Sequence, residues 1–251
     1  MKEPGSQRVA LVTGGAVRVG ATISHGLAAA GFDLVVGYHA SEGPALELAE
    51  QVRSAGRGCV LVPGDLAEPD TCEALVDAAR ETHGRLDLVV NSASSFEARA
   101  LTGVDAAAWD AVMAVNVRAP HLVVRAAADL LRAARGSVVN IVDLSALEPW
   151  PSRPDHSVSK AALAHLTRVQ ALALAPEVRV NAVAPGAVMI PVGWSEERWR
   201  RLGAATPLRR PGSARDVLDA VLYLATAQYV TGQVLTVDGG RSLGRSGSTD
   251  E

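Results

Sequence analysis

The chain has 251 residues, 48% of them hydrophobic and 20% charged, a globular composition that excludes a disordered protein. Its 24 basic and 27 acidic residues leave a formal charge of −3, which argues against a surface built for nucleic acid. No apolar run reaches the roughly eighteen residues of a membrane span. The polar start Met1–Gln7 lacks a secretory signal's apolar core. Two cysteines, Cys59 and Cys72, make neither a disulfide framework nor a zinc-ligand set and read as small buried thiols. One soluble, cytoplasmic domain is expected.

Short β-branched runs alternate with longer Ala/Leu-rich stretches at helical spacing. A strand over Val9–Thr13 leads to a helix over Val19–Ala30, then a strand at Leu34–Gly37 and a helix at Ala45–Ala55. Strand Val60–Pro63 precedes helix Pro69–His83, and strand Leu86–Asn91 precedes one long helix, Ala106–Arg135. Strand Ser137–Val142, helix His156–Ala175, strand Val178–Ala184, helix Ala214–Ala227 and strand Val234–Val237 complete the series. Strict alternation means βαβ units and a parallel sheet covered on both faces. Right-handed crossovers then favour a single doubly wound, seven-stranded parallel sheet with helices on both sides. The domain spans 1–251, with 1–7 and 244–251 expected as flexible tails.

The stretch 189–207 is the least regular. It holds Trp194 and Trp199 and follows the sixth strand. Loops at the carboxyl ends of strands line the ligand crevice of such a sheet, so 189–207 is expected to be a substrate lid.

The first strand ends in Thr13-Gly14-Gly15-Ala16-Val17-Arg18-Val19-Gly20, directly before a helix. Glycines let the backbone approach a pyrophosphate, and the helix start offers free amides and a positive dipole end. In this strand–turn–helix setting the pattern points to a dinucleotide. The second strand is followed by Tyr38-His39-Ala40-Ser41, with no acidic residue before Glu42 to hold a ribose 2′-hydroxyl. Arg18, His39 and Ser41 are donors suited to a 2′-phosphate, so NADPH/NADP+ is expected over NAD(H).

These motifs resemble the short-chain dehydrogenase/reductase family over nearly the whole chain. The resemblance rests on Thr13–Gly20, Gly64-Asp65-Leu66, Asn91-Ser92-Ala93-Ser94, Asn116, the Asp143/His156/Lys160 set, Pro185-Gly186 and Val237-Asp238-Gly239-Gly240. Within the family the chain is most similar to the pteridine reductases. Arg18 stands where the wider family has glycine, and Asp143 where it usually has serine. Tyr38–Ser41 and Asn91–Phe96 resemble the pteridine reductase segments that meet the 2′-phosphate and the pterin.

The resemblance implies a Rossmann-like NADP-binding domain and a reductase that delivers hydride to a C=N bond of a dihydropteridine. It implies cofactor contacts from Gly14, Arg18, Val19, Gly20, His39, Ser41, Asp65, Leu66, Asn91, Ala93, Ser94, Lys160, Pro185, Gly186 and Val188. Ser94, Phe96, Asp143 and His156 would meet the substrate, Phe96 by stacking on a flat ring. Asn116 would hold a proton-relay water. No metal, nucleic acid or membrane is implied. The small apolar face of Val158–Ala175 would pack against its symmetry mate in a homotetramer.

The pattern breaks at position 156. The family has tyrosine four residues before its lysine, on the same helix face. This chain has His156 before Lys160, and the thirteen-residue step from Asp143 to His156 keeps the family's register. Three readings stand open. His156 is the proton donor, since imidazole exchanges protons nearer neutral pH than phenol. Alternatively Asp143 is the donor and His156 shapes the pocket, which a C=N substrate tolerates because its nitrogen accepts a proton readily. The third reading is a fold that keeps the cofactor and has lost its chemistry. A ketone-directed carbonyl reductase is the alternative to a pterin substrate.

Other charged groups read as scaffold. Arg198-Trp199-Arg200-Arg201 and Arg209-Arg210 suit a solvated helix face. His25, His83, His121 and His165 have no paired carboxylate at metal-ligand spacing.

Overall fold

The computed structural model describes residues 7–191 and 193–244. Seven strands, β1 (Arg8–Thr13), β2 (Phe32–Tyr38), β3 (Cys59–Pro63), β4 (Leu88–Asn91), β5 (Ser137–Ile141), β6 (Arg179–Pro185) and β7 (Val234–Val237), form one sheet. Its order is β3-β2-β1-β4-β5-β6-β7 and every neighbouring pair is parallel. The order reverses between β1 and β4, which opens a crevice at their carboxyl ends.

Alternation along β1 explains the two layers. Ala10 and Val12 point to one side, where Ile23 and Leu27 of α1 (Arg18–Ala29), Leu48 of α2 (Glu42–Ser54) and Val221 of α8 (Ala214–Thr226) cover them. Val9 and Leu11 point to the other side. There they meet Leu75 of α3 (Pro69–His83), Val123 of α5 (Ala119–Ala134) and Leu174 of α6 (Pro154–Leu174). Burial on both faces is why these strands read as continuous apolar runs. Cys59 and Cys72 lie within the two layers, and burial pushes both thiols up to about 11.

Two expectations need correction. The long helix over 106–135 is α4 (Ala106–Met113) and α5, joined by one widened turn at Ala114–Arg118. Pro120 has no N–H for the Asn116 carbonyl four residues back, and its ring crowds that carbonyl, so the turn relaxes outward. The stretch 189–207 is partly regular, because it contains α7 (Glu196–Ala204). Ser195 caps it by accepting from the Arg198 amide at 3.3 Å, and Glu196 and Glu197 favour the positive end of its dipole. Residues 1–6 and 245–251, most of the two expected tails, lie outside the described residues, as does Val192. Among the described residues no helix is long and apolar enough to cross a membrane.

Candidate active site

The turn after β1 can be built only with glycine at two places. Gly14 takes a φ of +59°, and a Cβ there would sit 2.9 Å from the Ala93 Cα. A Cβ on Gly20 would lie 2.1 Å from the Gly14 carbonyl oxygen. Thr13 Oγ1 accepts from the amides of Ser92 (3.0 Å) and Ala93 (3.2 Å), which ties this turn to the end of β4. The result is a bare backbone cradle at the start of α1, which fits a pyrophosphate.

Three adjoining cavities follow the carboxyl edge of the sheet. The first, about 480 Å³, runs from Gly14 and Gly20 past Arg18, His39 and Ser41 to Lys160. Asp143 is the only carboxylate among its described lining residues. Arg18 and His39 are exposed at its mouth, and the Ser41 hydroxyl is not spent on capping α2. The second cavity, about 450 Å³, opens beside Leu66 and Asp65, whose Oδ1 accepts from the Ala67 amide at 2.8 Å. The third, about 490 Å³, is walled by Phe96, Trp150, Arg153, Pro185, Gly186 and Val188, with Trp194 and Trp199 of the 189–207 stretch across from them. Val19 and Ser94 also line this crevice. Phe96 is half exposed within it.

At the junction of the first and third cavities lie Asp143 and His156. The register of β5 and the start of α6 brings them together. His156 Nε2 is 2.6 Å from Asp143 Oδ2, and His156 Nδ1 is 3.0 Å from the Ser95 carbonyl oxygen. Asp143 Oδ1 accepts from the Ser145 amide at 2.8 Å and from the Ser145 hydroxyl. The His156 side chain is 1% exposed and that of Asp143 is 20% exposed. Phe96 packs edge-on to the imidazole at 4.7 Å between centroids, and Trp150 lies nearly parallel to it at 6.4 Å.

Burial works to raise the Asp143 carboxyl. The His156 hydrogen bond, the Lys160 charge and the Ser145 hydrogen bond outweigh it and hold the group below the usual carboxylate range. Lys160 sits one turn beyond His156, buried, and donates to the Ile141 carbonyl at 3.0 Å. Burial lowers its ammonium to about 8 against the opposing pull of Asp143.

Two expected residues lie behind the cavities rather than in their walls. Asn91 is buried and donates to Asn140 Oδ1 at 2.8 Å, bracing β4 against β5. Asn116, in the widened turn, accepts from the Ser95 amide (2.8 Å) and donates to the Ser95 carbonyl (3.1 Å) and to Ser159 Oγ (2.9 Å). Sequence reasoning missed Ser95, Ser145, Trp150 and Arg153. Their available signal was position alone, on the loops that leave β4 and β5 at the crevice edge.

A family model described as enoyl-(acyl carrier protein) reductase matches residues 15–242. The chain is 37% identical to a protein of Streptomyces violaceoruber named as ketoacyl reductase 2 of the granaticin polyketide synthase, over 94% of this chain and 96% of that one. It is 34% identical to pteridine reductase 1 of Leishmania tarentolae, over 95% and 97% of the two chains. Among solved structures it is similar to a blue fluorescent protein from a metagenomic library in complex with NADPH. That match has a TM-score of 0.85 and 33% identity, covering 93% of this chain and 97% of the other.

Proposed function

The chain belongs to the short-chain dehydrogenase/reductase family and is an oxidoreductase of that type; from that premise we propose that it is an NADPH-dependent reductase acting on a C=N bond of a pterin-like, dihydropteridine ring. The observation that carries this reading is the 2.6 Å contact between His156 and Asp143 beneath the exposed ring of Phe96.

Gly14, Val19 and Gly20 would hold the pyrophosphate, and Arg18, His39 and Ser41 the 2′-phosphate. A guanidinium at the cavity mouth, in no ion pair among the described residues, favours that phosphate over a bare hydroxyl. Asp65 and Leu66 would flank the adenine, and Ala93, Ser94, Pro185, Gly186 and Val188 the nicotinamide. Lys160 would hold the nicotinamide ribose. The bound cofactor supplies a hydride to the substrate carbon.

The proton comes from the chain itself. The Ser95 carbonyl can only accept, so His156 Nδ1 carries a hydrogen and donates it. Nε2 then faces a carboxylate oxygen at 2.6 Å, and two lone pairs cannot meet at that distance. One proton lies between them. The His156 hydrogen bond, the Lys160 charge and the Ser145 hydrogen bond hold the Asp143 carboxyl low against its burial, which strengthens the contact. Both groups line the cavity, and Asp143 is the more exposed of the two, at 20% against 1%, so the proton passes to the substrate nitrogen through Asp143. An imine nitrogen is basic enough to take it without a tyrosine. Asn116 acts as a positioning residue, because it grips Ser95 on both sides and so fixes the carbonyl that orients the imidazole.

The ketoacyl reductase relative supports a second reading, reduction of a ketone. Initial rates of NADPH oxidation on 7,8-dihydropterin and on simple ketones, measured side by side, separate the two. Faster turnover of the dihydropterin is expected; turnover of ketones alone overturns the pterin reading. The outward face of α6 exposes Val158, Val169 and Leu172, which supports assembly of a homotetramer through that helix.

A further inference from the structure

We propose that Arg153 is a specificity-determining residue that binds a carboxylate carried by the ring lying on Phe96. The inference rests on the reading that this site takes a flat ring, and it names the class of ring: a nitrogen heterocycle bearing an anionic group.

Arg153 stands immediately before α6, in the wall of the third cavity. Its guanidinium carbon lies 4.3 Å from the Phe96 ring centroid, so the charge is held against the aromatic ring proposed to stack on substrate. The neighbouring acids are committed elsewhere. Arg99 pairs with Glu97 and, at 3.1 Å, with the fully buried Asp155. Among the described residues no carboxylate comes within ion-pair distance of Arg153, and its Nε is buried without a hydrogen-bond partner.

A guanidinium keeps its charge in a protein and offers five N–H donors in one plane. A buried donor with no acceptor costs free energy that a bound acceptor restores. A carboxylate matches the planar fork with two parallel hydrogen bonds. The remaining charges of the cavity favour the same ligand. Beyond Arg18, which the 2′-phosphate would engage, Arg241 also lines it, and its one described carboxylate, Asp143, is held by His156 and Ser145. An anionic substituent on the ring therefore enters a cavity of net positive charge whose own acid is already paired.

The test is equilibrium binding of pterin-6-carboxylate and of unsubstituted pterin to the NADP+ complex at pH 7, followed by calorimetry. The wild-type protein is expected to bind the carboxylate at least tenfold more tightly than the neutral ring. In Arg153→Met, which keeps apolar cover over Phe96, that ratio is expected to fall toward one, and in Arg153→Lys to recover in part. The Arg153 side chain makes no cap hydrogen bond to α6. Unchanged NADP+ affinity in both variants therefore serves as the check on folding. Equal affinities for the two pterins in the wild-type protein, or a ratio that survives Arg153→Met, overturns the assignment of Arg153 while leaving the flat-ring reading intact. Failure of both pterins to bind a protein that does bind NADP+ overturns the flat-ring reading, and this proposal with it.

Discussion

Asp143 is the more exposed partner of the hydrogen-bonded pair that it forms with His156 at the cleft. Its Oδ2 is 2.6 Å from the imidazole Nε2, and the imidazole is 1% exposed where the carboxylate is 20% exposed. On this reading the carboxylate is the group that passes the proton to the substrate. Asp143→Ala is therefore expected to lower kcat on the dihydropterin by about 10²–10⁴-fold, the usual worth of a general acid. His156→Phe leaves the carboxyl group in place and is expected to cost less. Steady-state rates for both variants check this; an equal and total loss in both makes the histidine the direct donor.

Arg18 sits at the phosphate turn with a φ of 53°, a left-handed conformation that a side chain strains by about 1–2 kcal/mol and glycine adopts freely. Arg18→Gly is expected to act in opposite directions. The free protein gains about 2–6 °C in melting temperature. Affinity for NADPH relative to NADH falls about 10–100-fold, because one charge-assisted contact to phosphate is worth roughly 1.5–3 kcal/mol. Calorimetric melting and cofactor titration read the two effects separately.

Lys160 titrates at about 8, so its charge is present below that pH and lost above it. The limb of the kcat/KM profile for NADPH is expected to fall above about pH 8, and Lys160→Met to remove that limb at a lower overall rate. Stability moves the other way. The unfolded lysine binds a proton up to its ordinary 10.5 while the folded one releases it from about 8, so this group's contribution rises with pH across that window. A urea midpoint series from pH 7.5 to 10.5, compared between wild type and Lys160→Met, checks the sign.

Gly20→Ala puts a Cβ 2.1 Å from the Gly14 carbonyl, a backbone atom that cannot swing aside. The cradle must open, and the variant is expected to lose detectable NADPH binding by fluorescence titration. Gly43→Ala, where nothing lies within 4 Å of the added Cβ, is expected to bind normally.

The strands were legible because a parallel sheet buried on both faces demands unbroken β-branched runs. Their ends were less so. β2 begins two residues early, at Phe32, since the buried Asp33 accepts from the Gly58 amide at 2.8 Å and so enters the core as a satisfied polar group. Helix α7 was legible only as a solvated helix face at Arg198–Arg201, inside a stretch otherwise read as irregular, because Glu-Glu-Arg-Trp-Arg-Arg is mainly polar. In the site, the family resemblance grouped Asp143, His156 and Lys160, and spacing only confirmed the register. Neither was enough to choose the proton's route, which depends on the Ser95 carbonyl, a main-chain atom with no residue signature. Trp150 and Arg153 lie on an irregular loop, where no periodicity announces which side chains face the cavity.

The account depends on NADPH seating in the glycine cradle with its 2′-phosphate at Arg18. Thermal melting with NADPH added at about a hundred times its Kd tests this most directly, since binding to the folded state alone contributes about 2.7 kcal/mol. The expected result is a rise of roughly 5–10 °C, with a much smaller rise for NADH at the same concentration. A melting temperature indifferent to NADPH contradicts the account.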